Sequence, residues 1–148
     1  LDRTLLYATD INPAALEAAQ RGIYPLDRIA AFPQDPQRPG GRSSLSDYYA
    51  AAYGSAMFDK RLRARVVFSD HSLVTDAVFA ECQFVSCRNV MIYFDRALQD
   101  RALGLFKDSL SRRGFLGLGS KETLRFSAHA HAFTEFVRAE KIYQRRDS

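Results

Sequence analysis

The sequence predicts an α/β fold in which a mainly parallel sheet carries helices on its faces. Two short apolar runs, residues 5–10 and 83–87, are typical of strands buried inside such a sheet. Each is followed by a segment with the apolar period of a helix. The C-terminal segment 132–146 alternates well enough to indicate an antiparallel pair of strands. Strands that alternate with helices along a chain usually share one sheet.

The first strand and the first helix have the clearest boundaries. The run "LLYATD", residues 5–10, is too continuously apolar for a half-exposed strand, so we expect it to be buried. Asn12 suits the N-cap of the next helix, Pro13 its first position, and Gly22 the position just beyond its end. These signals predict a helix between Asn12 and Gly22.

A change of composition then indicates an insertion or β-subdomain at about residues 25–65. Residues 25–44 hold four of the five prolines and a Gly-Gly pair. We expect poor order at 33–44 and a helix at 45–54. Residues 57–68 are expected to form a strand with an exposed edge, which suits the addition of a partner's strand.

The second half of the chain begins with the predicted strand 83–87. Segment 97–114, "ALQDRALGLFKDSLSRRG", carries apolar residues on one helical face, and Gly114 suits its end. "FLGLGS", residues 115–120, is typical of a short strand that ends in glycine. The whole chain, residues 1–148, is expected to form one domain.

Composition excludes several classes of protein. The net charge of +4 is too small to indicate nucleic-acid binding, and no apolar run approaches the ~20 residues of a membrane span. Cys82 and Cys87 point to opposite faces of one strand, which is not a zinc spacing and suggests reduced thiols in the cytoplasm. His129 and His131 lack further ligands, so we expect no metal site.

Polar residues follow each predicted strand, where an open α/β sheet binds its ligands. Asp10 ends the first strand, and an acid there can accept both hydroxyls of a ribose. Asp10 can equally form a turn or cap the helix beside Asn12, and spacing alone does not choose between the two. Other predicted strand ends supply a further set of polar residues: Asp70, His71, Ser72, Arg88, Asn89, Gly119 and Ser120.

The most specific stretch is "CRNVMIYFD", residues 87–95. With it the chain resembles the CheR-type chemotaxis receptor methyltransferases, whose further patterns "ATDIN", "ALEAAQRGIY", "LGLFKDSLSRRG" and "GFLGLGSKETL" occur here in order. The resemblance implies a Rossmann-like class I methyltransferase fold, of which this chain is the C-terminal part. It also implies S-adenosyl-L-methionine as cofactor, with S-adenosyl-L-homocysteine as product, in a bacterial cytoplasmic enzyme of chemotaxis signal transduction. The implied substrates are glutamate side chains of a methyl-accepting chemotaxis receptor or a similar signalling protein.

The resemblance assigns cofactor-binding roles to five residues. Asp10 matches the acid that binds the ribose. Ser72 and Leu73 match a pair that borders the adenine, although asparagine is usual where Ser72 stands. Asn89 and Val90 match the segment next to the cofactor and the acceptor glutamate.

Arg88 and Tyr93 are the implied catalytic residues. Arg88 would orient the acceptor glutamate, and Tyr93 would line the methyl-transfer site. Each also has an ordinary structural interpretation. Arg88 could cap carbonyl groups at the strand end, and Tyr93 could be a half-buried packing aromatic.

The chain departs from the family in its central strand. The family's glycine-rich cofactor loop, with its strand, lies upstream of Leu1, and that strand separates the ones ending at Asp10 and Arg88. We expect the chain not to leave this gap open. The two strands would pair directly, a second copy would supply a strand in a strand-exchanged dimer, or an upstream segment would fill the gap. We also expect this chain by itself to bind the cofactor weakly or not at all.

Two other functions fit the same residues. One is a non-catalytic, methyltransferase-like module that binds a partner through the insertion. The other is a related methyltransferase with a different acceptor.

Overall fold

The computed structural model describes residues 3–31 and 44–147. These residues divide into two compact units, Leu1–His71 and Ser72–Ser148, and each unit combines helices with a sheet. In the described part of the chain, no helix has the length and apolar character needed to cross a membrane.

The first unit contains two small sheets. A parallel pair joins β1 to β5, with Leu6 opposite Val66 and Asp10 opposite Asp70. The other three strands form an antiparallel sheet in the order β2-β4-β3. In chain order the elements are β1 (Leu6–Asp10), α1 (Pro13–Arg21), β2 (Ile23–Pro25), α2 (Leu26–Ala30), β3 (Tyr49–Ala52), β4 (Ser55–Phe58), α3 (Lys60–Arg63) and β5 (Val66–Asp70).

Helix α1 begins and ends where its sequence signals predict. The Asn12 side chain accepts a hydrogen bond from the Ala14 amide at 2.9 Å, and Pro13 is the first helical residue. Gly22 adopts a left-handed conformation with φ 63°, which glycine reaches without steric cost. The local signals were sufficient because each acts within one helical turn of the boundary.

The predicted burial of β1 is wrong. Leu6 is 50% exposed and Tyr7 is 40% exposed. Among the described residues β1 has one strand partner, β5, and helix α1 has no buried residue. This pair of strands and its helix therefore offer too little apolar surface to enclose the side chains of β1.

Residues 45–54, predicted as a helix, form a short 3-10 turn and then the β3–β4 hairpin. Tyr53 and Gly54 connect the strands with φ values of 51° and 73°, the conformation that a tight two-residue hairpin needs. Tyr24 and Tyr49 contact the ring of Phe58 edge-on, at 5.8 and 6.1 Å between centroids. These contacts between strands outweigh the helix preference of the alanine-rich run.

The strand predicted for residues 57–68 is right only at its two ends. Asp59 instead caps α3, since its carboxylate accepts the Arg61 amide at 2.8 Å. The predicted exposed edge is wrong for Met57 and Phe58, because β4 lies between β2 and β3. The prediction of poor order at 33–44 falls, apart from Ser44, outside the described residues.

The second unit contains one four-stranded sheet in the order β6-β7-β9-β8. Strands β6 and β7 are parallel, whereas β9 is antiparallel to both β7 and β8. The predicted C-terminal antiparallel pair is therefore confirmed. The elements are β6 (Cys82–Cys87), α4 (Arg96–Ser109), β7 (Leu110–Leu118), β8 (Phe133–Val137) and β9 (Ile142–Arg145).

Helix α4 and strand β7 build the core of this unit. Ala102, Leu103 and Phe106 of the helix are buried in one cluster with Leu116 and Leu118 of the strand. This packing fixes the carboxyl ends of β6 and β7, from which the predicted site residues follow.

The sequence predicted that helix α4 ends at Gly114. The helix ends five residues earlier, at Ser109. Strand β7 begins at once with Leu110 opposite Cys82. Gly114 is needed for a different reason. A Cβ atom there would lie 2.9 Å from the carbonyl oxygen of Ser111 in the same strand and 3.1 Å from that of Gln83 in β6, so both backbone contacts favour glycine.

The expectation that strands β1 and β6 do not leave a gap open stays a prediction, and so does their direct pairing. Each already has a parallel partner within its own compact unit, and among the described residues each has one unpaired edge. Strand exchange with a second copy and completion by an upstream segment remain predictions.

We expect Gly114→Ala to lower the free energy of unfolding by about 1–3 kcal/mol, since backbone atoms must move to admit the methyl group. Urea denaturation measures this. Arg112→Ala, at an exposed position of the same strand, is the control and should change stability by less than about 0.5 kcal/mol. Equal stabilities for the two variants would contradict this prediction, because the backbone around Gly114 would then admit a methyl group at no cost in stability.

Candidate functional site

The candidate site is built on the loop that connects β6 to α4, residues 88–95. The loop starts from buried Cys87 and passes through a 3-10 turn at Met91–Tyr93. Met91 is only 2% exposed and anchors the loop in the core. Asp95 then caps α4 by accepting the Leu98 amide at 2.9 Å. The loop is therefore held at both ends and in the middle.

A buried carboxylate, that of Glu122, organises this loop. Glu122 is 5% exposed and accepts four backbone N–H groups. Its Oε1 accepts from Val90 at 3.0 Å and Met91 at 2.9 Å, and its Oε2 accepts from Asn89 at 3.1 Å and Gly119 at 2.6 Å. The charge is thus balanced by oriented amide dipoles, and the ends of β6 and β7 are tied together.

The backbone around Glu122 is specialised to make these bonds. Asn89 has φ 60°, a left-handed conformation that asparagine tolerates better than most residues. At Gly119 a Cβ atom would lie 2.4 Å from Asn89 Oδ1 and 2.8 Å from Glu122 Oε2. Only glycine therefore fits at the end of β7.

Sequence reasoning missed Glu122. It identified Gly119 and Ser120 as a strand end and included the following "KETL" in a family pattern, but it gave Glu122 no role. An acid soon after a strand that ends in glycine was the available signal. That signal is weak, because most such acids are solvated.

Arg88 and Tyr93 both present their side chains to solvent. Tyr93 is 82% exposed, so its interpretation as a half-buried packing residue is wrong. Arg88 is exposed, and within residues 3–31 and 44–147 its guanidinium has no hydrogen-bond or ion-pair partner. Its interpretation as a cap for strand-end carbonyls is therefore not supported either. The loop brings both residues to one short, well-anchored segment.

Ser72 and Leu73 are largely used by the local structure. The Ser72 hydroxyl accepts from the amides of Val74 and Thr75 at 3.2 and 3.4 Å, and the Ser72 amide donates to Asp76 Oδ2 at 2.8 Å. Leu73 packs against the core of the second unit. The Ser72 hydroxyl therefore closes a local turn.

Asp10, in the first unit, makes the turn that was one of its two interpretations. Its Oδ1 accepts the Asn12 amide at 2.8 Å. The residue is exposed, and its Oδ2 has no partner among the described residues. A turn and a role in binding hydroxyl groups are therefore compatible, because they use different oxygens.

Both cysteines are free thiols. Burial, with a smaller contribution from the charge of Glu122, raises the pKa of Cys87 to about 12. Burial likewise raises the pKa of Cys82. Neither thiol is activated as a nucleophile, which agrees with their interpretation as small core residues.

The two histidines make local contacts. His129 Nε2 lies 3.9 Å from Asp100 Oδ2, and His131 Nδ1 lies 2.8 Å from the Ala128 carbonyl oxygen. No group of three or more His, Cys, Asp or Glu side chains in the described part of the chain could hold a metal ion.

Comparison with known proteins decides the family. A family model described as "CheR methyltransferase, SAM binding domain" matches residues 2–141. The chain belongs to the CheR methyltransferase family. The cofactor of this domain is S-adenosylmethionine, and the resemblance predicted from "CRNVMIYFD" is confirmed.

Curated relatives support this assignment. The chain is 52% identical over 145 residues to "Putative methyltransferase Cher3" of Pseudomonas putida, covering 98% of this chain and 53% of that protein. It is 31% identical to chemotaxis protein methyltransferase 2 of Pseudomonas aeruginosa, covering 84% of this chain and 44% of the relative. It is also 31% identical to the chemotaxis protein methyltransferase of Salmonella typhimurium, covering 92% and 43%. The chain spans about half the length of these relatives.

A solved structure shows a similar fold. The crystal structure of a possible exported protein from Bordetella parapertussis matches with a TM-score of 0.55 at 14% identity, covering 97% of this chain and 54% of that one. At this identity the match concerns the fold alone.

We expect Glu122→Gln to lower the free energy of unfolding by roughly 1–3 kcal/mol or more, because the new amide group faces N–H donors that then lose their acceptor. Chemical denaturation measures the loss, and hydrogen exchange should be faster at the Asn89 and Gly119 amides. Glu140→Gln, at an exposed position, is the control. Unchanged exchange at both amides would contradict the role given to Glu122.

Proposed function

We propose that the protein containing this chain transfers a methyl group from S-adenosylmethionine to a glutamate side chain of a chemotaxis receptor or a similar signalling protein. The observation that carries this proposal is the loop 88–93, in which a buried carboxylate fixes the backbone while Arg88 and Tyr93 stay exposed and available. The free cysteines agree with a place in the cytoplasm.

The chemistry requires positioning rather than a general base. The cofactor supplies a methyl group on a positively charged sulfur, and the acceptor carboxylate is already ionised at pH 7. The methyl carbon passes from sulfur to the carboxylate oxygen in one in-line displacement. Rate acceleration then comes from holding the two reactants in line and from the placement of charge.

Arg88 and Tyr93 have the chemistry for these tasks. A guanidinium binds a carboxylate through two parallel hydrogen bonds, so Arg88 would fix which oxygen faces the methyl group. The face of an aromatic ring attracts a cation and the tyrosine hydroxyl is a further dipole, so Tyr93 would hold the positively charged sulfur in line with the acceptor. Neither side chain is occupied by other described residues in a way that prevents this.

The described residues differ in how well they fit the cofactor. Asp10 keeps one carboxylate oxygen free to accept ribose hydroxyl groups. Asn89 and Val90 lie on the anchored loop, and we assign them to the cofactor's immediate surroundings. The Ser72 hydroxyl is used in its own turn, so Ser72 and Leu73 would border the adenine by shape rather than bind it through that hydroxyl.

A second candidate function is a partner-binding module without catalysis. The antiparallel sheet of the first unit has β2 and β3 at its edges, and Tyr53 at the hairpin tip is fully exposed. Such an edge can accept an added strand. Transfer of a labelled methyl group to receptor protein by the natural protein distinguishes the two functions, because a pure binding module transfers none.

We expect Asp10→Ala in the natural protein to weaken cofactor binding by about 1.5–3 kcal/mol, the usual contribution of hydrogen bonds to a charged group. Isothermal titration calorimetry measures the affinity. Asp10→Asn separates the two roles, because its amide oxygen can still accept the Asn12 N–H while the second acceptor is lost. Wild-type affinity in both variants would show that Asp10 forms the turn but does not bind the cofactor.

We expect Tyr93→Phe to lower the turnover number, because the variant loses the hydroxyl dipole beside the proposed transfer site. The thermal midpoint should stay within about a degree, because the side chain is exposed and makes no core contact. Tyr53→Phe, at another exposed tyrosine, should change neither quantity. A large fall in the midpoint of the Tyr93 variant would show that the residue supports the fold instead.

A further inference from the structure

A cavity in the second unit lies outside the residues assigned so far. Its volume is about 300 Å³. One wall is the segment 123–125, which directly follows Glu122, and another is the hairpin formed by β8 and β9. A cavity of this size is at the lower limit for small-molecule sites, so it admits a group of side-chain size rather than a whole cofactor.

The lining is strongly cationic. Arg125, Arg138 and Lys141 contribute three positive charges, against one negative charge from Glu135. In the described part of the chain none of the three cations is in an ion pair. Buried Tyr143 adds a hydroxyl group to the same lining. Unpaired cations around a concave surface favour an anionic ligand.

The cavity is connected to the Arg88 loop through a short series of hydrogen bonds. The Leu118 amide donates to the Lys141 carbonyl at 3.0 Å, which fixes the β8–β9 hairpin at the end of β7. The next residue, Gly119, shares the Glu122 carboxylate with Asn89. The wall of the cavity at 123–125 and the Arg88 loop are therefore joined by the short segment 118–122.

We propose that this cavity binds a carboxylate side chain of the protein substrate, next to the glutamate that is methylated. A protein that presents one glutamate at Arg88 also places its neighbouring residues on the surrounding surface. A second carboxylate there would meet Arg125, Arg138 and Lys141. The cavity would thus select acidic segments. This inference rests on the proposed function for the choice of a peptide carboxylate over a free anion.

The test measures binding, so it needs neither cofactor nor turnover. The probes are a short fluorescent peptide rich in glutamate and the same peptide with glutamine in its place, followed by fluorescence anisotropy with the full-length natural protein. We expect a preference for the glutamate peptide and a loss of about tenfold in affinity in Arg138→Gln, the scale of a hydrogen bond to a charged group. Affinity for the glutamine peptide should not change.

The control is Arg112→Gln, which removes the same charge from an exposed position near the start of β7. An equal loss in both variants would show general electrostatic attraction and overturn the proposal. Binding of inorganic phosphate in the cavity without any preference for the glutamate peptide would overturn it as well. Absence of methyl transfer together with a preference that depends on Arg138 would refute the proposed reaction and leave the acidic-segment site standing.

Discussion

The arrangement of the second unit depends on one buried carboxylate. Glu122 accepts four backbone N–H groups from two chain segments that are more than twenty-five residues apart. A buried charge is costly unless it is fully hydrogen-bonded. Here amide dipoles meet that requirement, and Glu122 has no ion pair with a side chain of the described residues. Arg88 is consequently not needed to neutralise Glu122, and its guanidinium stays available to an external carboxylate.

The sequence predicted features that are set by neighbouring residues and missed those set by distant ones. The ends of α1 follow from Asn12 and Gly22, whose effects are local. The β3–β4 hairpin could not be foreseen, because its alanine-rich run favours a helix until Tyr49 contacts Phe58 from the next strand. The buried position of Glu122 depends on amides about thirty residues away, a separation that no periodicity reveals.

In the candidate site too, the sequence predicted what depends on neighbouring residues and missed what depends on distant contacts. The motif "CRNVMIYFD" identified the loop because its residues are consecutive and specific. The state of individual side chains was not predictable. The Ser72 hydroxyl and one oxygen of Asp10 are used by their own turns, whereas Tyr93 and Arg88 are free of the packing and capping roles that composition would favour. Strand-end position therefore indicates where chemistry can occur, and the contacts decide which atoms remain for it.

The loop separates the support of its backbone from the chemistry of its side chains. Several of its backbone groups are satisfied from inside. Glu122 accepts three of its amides, and the Gln99 side chain donates to the carbonyl oxygens of Met91 and Phe94 at 3.1 and 3.0 Å. Since the side chains of Arg88 and Tyr93 take no part in these bonds, we expect their replacement to lower the proposed activity without removing the structure. Changing Glu122 would disturb the structure of the loop first. Displacement of the loop then moves the side chains of Arg88 and Tyr93 together. Variants at these positions therefore distinguish a residue that acts on the substrate from one that acts by holding the loop.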